Sequence, residues 1–168
     1  MNKQGTITFL EKVRIQARVL VPLIKAFERE LGSDRARSLA REALQNSVRQ
    51  SYAKLREKNP GNPVELIPGG IAMFAEDALE YEVIVHTSEV FDFTVTKCAY
   101  ADFYKAMGEP DLGFLFVCEQ DHAIAEGLGS DLEFRRTQTI MQGATHCDFR
   151  FRHITIGSDP NNDSLGEP

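Results

Sequence analysis

The chain has 168 residues, 42% of them hydrophobic and 26% charged, enough apolar material for one domain with its own core. Its net charge of −6 argues against a nucleic-acid partner, because phosphate binding calls for a basic surface. No apolar run nears the roughly 20 residues that cross a bilayer, and the opening MNKQGTITFLEKVRIQ lacks the apolar stretch of a secretory signal, so a cytoplasmic protein without a membrane partner is expected.

Leu10, Val13, Ala17, Leu20, Ile24, Phe27 and Leu31 recur at steps of three and four, which predicts one apolar stripe on a helix. Pro22 lies inside it and predicts a kink or a restart. Gly32 suits a C-cap, and Ser33 or Asp34 then caps a second helix over roughly 34–58, with Leu39, Ala43, Leu44, Val48 and Leu55 turned inward. The heptad-like spacing of the first stripe serves a core or a homo-oligomer interface equally well. NPGNP at 59–63 ends the helical hairpin, and a short helix is expected around Ile71–Ala78.

The period then changes to two. Tyr81, Val83 and Val85 alternate with Glu80, Glu82 and Ile84, and after HTSE Phe91, Phe93 and Val95 alternate with Asp92, Thr94 and Thr96, the pattern of a β-hairpin. CAYADFYKAMG at 98–108 reads as a short helix closed by Gly108, and Pro110 opens another that runs to Gly127. Arg135–Met141 and Cys147–Ile156 predict a second strand pair around the QGATH turn. The expected fold is α+β: an N-terminal helical hairpin packed with a small antiparallel sheet made from two β-hairpins, with two further short helices between them. Residues 1–156 form a single domain in this reading, and the polar, Pro/Gly-rich 157–168 are a disordered tail.

Chemistry centres on three irregularly spaced cysteines, a poor disulfide framework. No CxxC, GxGxxG, Walker loop or HExxH is present, so no cofactor and no metal are expected. Cys147 alternates with Asp148 in a predicted strand and shares a face with Phe149 and Phe151, so it reads as a core or pocket thiol rather than a partner of His146. Asp148, Arg150 and Arg152 read as a solvated ionic face or as one wall of an anion site. Cys118 has Asp121 and His122 three and four residues on, on one helical face, where either could take its proton; it also continues the apolar run GFLFVC. Cys98 falls at a strand-to-helix switch, where a helix N-terminus favours a thiolate, or it is a small junction residue.

Three segments carry a family resemblance: LVPLIKAFERELGSDRARSLAREAL, KCAYADFYKAMGEPDLGFLFVCEQD and RTQTIMQGATHCDFRF. They resemble the L-2-amino-thiazoline-4-carboxylic acid hydrolase family over about residues 15–155, most specifically in the ordered set Cys98, Gly108, Cys118, Asp121, Arg136, Gly143, Cys147 and Asp148. The resemblance implies a cysteine-dependent hydrolase acting on a small-molecule substrate. Attack at the amidine-like carbon of a five-membered ring opens it to an N-carbamoyl product. Cys118 is the favoured nucleophile with Cys98 as the alternative. Asp121 is the acid/base, and His122 is a helper outside the matching pattern. Arg136 is expected on the substrate carboxylate, with Asp148, Cys147 and Thr139 completing the substrate pocket. The rival reading is a non-catalytic small-ligand or zinc-binding sensor-like module.

Overall fold

A computed structural model describes residues 7–154; the expected tail and the last two residues of the expected final strand lie outside the described residues. Helix α1 (Phe9–Leu31) starts at Thr8, whose hydroxyl accepts from the Glu11 amide while the Glu11 carboxylate accepts from the Thr8 amide. Leu10, Val13, Ala17, Val21 and Ile24 are buried. The seam thus passes through Val21 rather than Leu20, and its next turn falls on Glu28, whose side chain is 9% exposed and bonded to Arg37. Phe27 and Leu31, expected inward, are therefore exposed, in register with exposed Ile15, Val19 and Leu23. Pro22 does not restart the helix: one missing donor on an exposed face is carried by the packed turns of Val21 and Ile24.

Gly32, at φ 82°, closes α1 and opens α2 (Ser33–Lys58), with no side-chain cap from Ser33 or Asp34. Only Ala36 of α2 is buried; Leu39, Ala43 and Leu55, expected inward, are exposed. The helix is instead tied down by ion pairs, Arg41 forking onto Glu119, Arg49 onto Glu126 and Arg56 onto Asp131. A 3₁₀ turn (Pro63–Leu66) leads into α3 (Ile67–Ala75), four residues earlier than expected, because Pro68 takes the first turn.

Strands β1 (Leu79–His86) and β2 (Val90–Cys98) form the first antiparallel hairpin, and β3 (Leu132–Arg135) and β4 (Cys147–His153) the second. β2 pairs antiparallel with β4, giving a four-stranded sheet in the order β1-β2-β4-β3. β3 begins and ends earlier than the sequence pattern indicates. Residues 136–139 leave the sheet, because Arg136 turns inward and Asp148 binds the Thr137 and Gln138 amides. Between the hairpins lie α4 (Ala99–Ala106), α5 (Pro110–Gly113) and α6 (Gln120–Leu128). The expected single helix from Pro110 to Gly127 is broken by a π-helical stretch at Phe114–Cys118, where the Glu119 amide reaches five residues back to the Phe114 carbonyl. Gly127 brings α6 close to α2: a Cβ there would stand 2.7 Å from the Arg49 carbonyl oxygen. The α+β architecture is the one expected.

Candidate active site

The π-helical stretch ends at Cys118, β2 ends at Cys98 and β4 begins at Cys147. All three thiols, with Gln120 and Asp121, line one cavity of about 380 Å³. A second chamber, of about 400 Å³, shares Tyr52, Ile71, Met73, Phe74, Asp121 and Ile124 with the first, so Asp121 stands where the two meet. Helical spacing explains the division: Asp121, Ile124 and Leu128 share one face of α6 and all reach the chambers.

Each sulfur has a different hold. Cys98 is the N-cap of α4, as expected, and its Sγ accepts from the Ala101 amide at 3.4 Å. Cys147 Sγ accepts from the Ile140 amide at 3.2 Å, and its strand mates Phe149 and Phe151 face the second chamber, as period two requires. Cys118 is buried at the π-to-α junction, next to Asp121 and Arg136. The acidic thiol expected at Cys98 or Cys118 is not found, and Cys147, read as a core or pocket thiol, is raised too. Burial pushes Cys98 up to about 11 against the Ala101 amide bond. It pushes Cys118 well above its ordinary 9.0, helped by Asp121 and opposed by Arg136, and it raises Cys147 against the Ile140 amide bond. In the free protein the thiols are neutral at pH 7.

Asp121 is the polar centre. Burial lifts its carboxyl from 3.8 to about 6, against the charge and hydrogen bond of Arg136. The 27% of its side-chain surface that stays open faces the chambers. Arg136 itself is only 4% exposed and lines neither chamber. Its Nη1 donates to Asp121 Oδ2, its Nη2 donates to the Cys118 carbonyl at 3.0 Å, and its plane lies by the rings of Phe134 and Phe149. The arginine expected on the substrate thus orients the carboxylate.

The other expected site residues stand outside the cavity. His122 packs its ring on Phe134, 4.9 Å between centroids, and burial followed by the Arg136 charge lowers its pKa. Asp148 Oδ1 accepts from the Thr137 and Gln138 amides at 2.9 and 3.0 Å, and Oδ2 accepts from the Thr137 hydroxyl at 2.8 Å. Burial raises Asp148, but those donors outweigh it and hold the carboxyl below its ordinary 3.8. Thr139 caps the 3₁₀ turn Ile140–Gln142, its hydroxyl accepting from the Gln142 amide at 3.2 Å. Arg150 and Arg152 pair with Asp92, which faces Arg150 across the β2–β4 ladder, rather than with Asp148.

Gln120 is the residue that the sequence reading missed. It is 8% exposed, its Nε2 donates to the Leu115 carbonyl at 2.7 Å, and its Oε1 has no hydrogen-bond partner. The available signal was an amide two residues after the apolar run FLFVC. Among the described residues no three His, Cys, Asp or Glu side chains cluster as metal ligands, and no helix is long and apolar enough to cross a membrane.

Among solved structures, the chain is similar to the phenol-responsive sensory domain of the transcription activator PoxR with phenol. Identity is 16%, covering 80% of this chain and 72% of that one, at a TM-score of 0.47. It is similar also to an Fe(II) unliganded H-NOX protein from K. algicida, at 14% identity over 92% of this chain and 78% of that one, with a TM-score of 0.40. Neither likeness is close enough to bear on the site. No curated protein matches. A family model described as L-2-amino-thiazoline-4-carboxylic acid hydrolase matches residues 12–151, which hold every thiol, Asp121 and Arg136, and the chain belongs to that family.

Proposed function

We propose that the protein is a hydrolase that opens a small cyclic amidine or amide to an N-carbamoyl product, with L-2-amino-thiazoline-4-carboxylate as the reference ring, Cys118 as nucleophile and Asp121 as proton carrier. The observation that carries this reading is the meeting of three thiols with a carboxyl of pKa about 6 in one cavity. Such a carboxyl is divided between acid and base near neutral pH, which is what a group that takes and returns a proton needs.

With the thiol raised above its ordinary 9.0 and the carboxyl near 6, full proton transfer from Cys118 to Asp121 is uphill. Thiolate therefore does not accumulate, and transfer accompanies attack. An amidine-like ring is basic and enters as a cation, which offsets the Asp121 charge and eases ionisation of Cys118. In the proposed sequence the Sγ–C bond forms at the amidine carbon, Asp121 takes the thiol proton, and the C=N pair moves to nitrogen. The ring bond to the leaving heteroatom then breaks, and that atom takes the proton from Asp121. Water adds to the same carbon, giving its proton to Asp121. The C–Sγ bond breaks and the proton returns to sulfur. One water is consumed and one ring bond is lost, with no oxidant or reductant.

The test is ring opening, followed by mass spectrometry, in Cys118→Ser, Cys98→Ser and Cys147→Ser, each checked for folding by thermal melting. Loss of turnover in Cys118→Ser alone is expected. Full turnover there with none in Cys98→Ser moves the nucleophile to Cys98. Full turnover in all three removes cysteine chemistry.

A further inference from the structure

We infer that the ligand of this site carries a nitrogen-donor head and a long apolar substituent, and no carboxylate. The inference rests on the hydrolase reading for the identity of the head and on the chamber walls for the rest.

Charge comes first. Among the described residues lining the two chambers, Asp121 is the one charged side chain. The nearest guanidinium, Arg136, is sealed behind it and engaged by Asp121 and the Cys118 carbonyl. A carboxylate brought into the cavity would lie next to another carboxylate with no cation to pair with. That excludes the acidic group of the family's reference ring from a favourable position.

Hydrogen bonding points the same way. The one charged group on the chamber walls, the Asp121 carboxylate, is an acceptor, and the other polar residues of the first chamber, Gln16, Ser47, Ser51, Tyr52, Tyr100 and Gln120, are neutral. A partly open carboxylate in an apolar enclosure is best met by a group that brings N–H bonds and positive charge. An amidinium presents several on one plane, which fits a carboxylate.

Shape supplies the substituent. The second chamber is walled by Phe93, Phe149, Phe151, Leu66 and Leu128. The two volumes together, about 400 and 380 Å³, lie in the range of pockets that enclose drug-sized ligands of about 300–1,000 Å³. A bare five-membered ring fills a small part of the first chamber and leaves the aromatic wall uncovered. A hexyl-sized substituent passing Ile124 covers it.

The experiment compares 2-aminothiazoline bearing 4-carboxylate, no substituent or 4-hexyl, with binding measured by calorimetry and ring opening by mass spectrometry. The hexyl compound is expected to bind at least about 100-fold more tightly than the carboxylate and to be opened with the higher kcat/KM. Gly70 lines the second chamber, and a Cβ there meets nothing within 4 Å, so Gly70→Phe adds bulk at the chamber wall without a clash at its Cβ. That variant is expected to shrink the hexyl-over-unsubstituted preference about tenfold. Tightest binding and fastest opening of the carboxylate would overturn the inference while the hydrolase reading stands. Tight hexyl binding with no opening of any ring supports the ligand class and overturns the hydrolase reading. Absence of binding and opening throughout overturns both.

Discussion

Asp121 and Asp148 are both withdrawn from solvent, and they end in opposite states. Asp148 meets three donors from Thr137 and Gln138, which saturate its oxygens and pull its pKa down. Asp121 meets one guanidinium, keeps bonding capacity free toward two chambers, and is pushed up to about 6. Burial acts on both. The number of donors fixed by the fold decides in which direction each carboxyl is shifted. The same contrast separates the sulfurs from the ordinary core: each faces a chamber rather than closed packing.

The largest expected effect breaks the pair behind Asp121. Arg136→Met should cost about 3–5 kcal/mol in urea unfolding at pH 7, because it strands a buried carboxylate. The loss should be smaller at pH 5, where Asp121, no longer opposed by Arg136, is protonated. Equal losses at both pH values would show that packing on Phe134 and Phe149, not charge, is what Arg136 supplies.

Asp121→Asn should reduce ring opening about 10²–10⁴-fold with the fold intact by thermal melting. Wild-type turnover should climb with pH through about 6 as Asp121 ionises, and Asp148→Asn should leave that midpoint in place. A flat profile across that range would remove Asp121 from the proton path.

Stability against pH gives the two carboxyls opposite signs. Asp121 binds its proton more tightly folded than unfolded, so its contribution falls as pH rises from about 4 to about 6, by about 3 kcal/mol in all, and is level above. Asp148 is more acidic when folded, so its contribution is complete above its ordinary 3.8 and is lost on further acidification. Melting curves of Asp121→Asn should lack the first trend and those of Asp148→Asn the second. The smallest effect is expected at Thr139→Val, which loses the cap of the 3₁₀ turn for about 1 kcal/mol in urea unfolding.

Local pattern made several of these features legible. Alternation placed Cys147 with Phe149 and Phe151, and the junction of strand and helix placed Cys98 at a cap. It misled where a rule of the chain met a demand from elsewhere. Cys118 does sit in a helical run with Asp121, but the π turn alters the register, and His122 goes to Phe134. Asp148 looked like a partner of Arg150 and Arg152, yet the β2–β4 register gives both arginines to Asp92. The thiolate argument counted the helix end at Cys98 and left out desolvation, which is larger.

The sequence by itself determined the helical hairpin, the two-hairpin sheet and the spacing of the thiols along the chain, because periods of 3.6 and 2 are set by backbone geometry. Only the tertiary structure decided that three sulfurs and Asp121 share a cavity, that Arg136 serves Asp121, and that Gln120 keeps an open acceptor. Those outcomes depend on distances and desolvation between segments far apart in the chain, which no local pattern encodes.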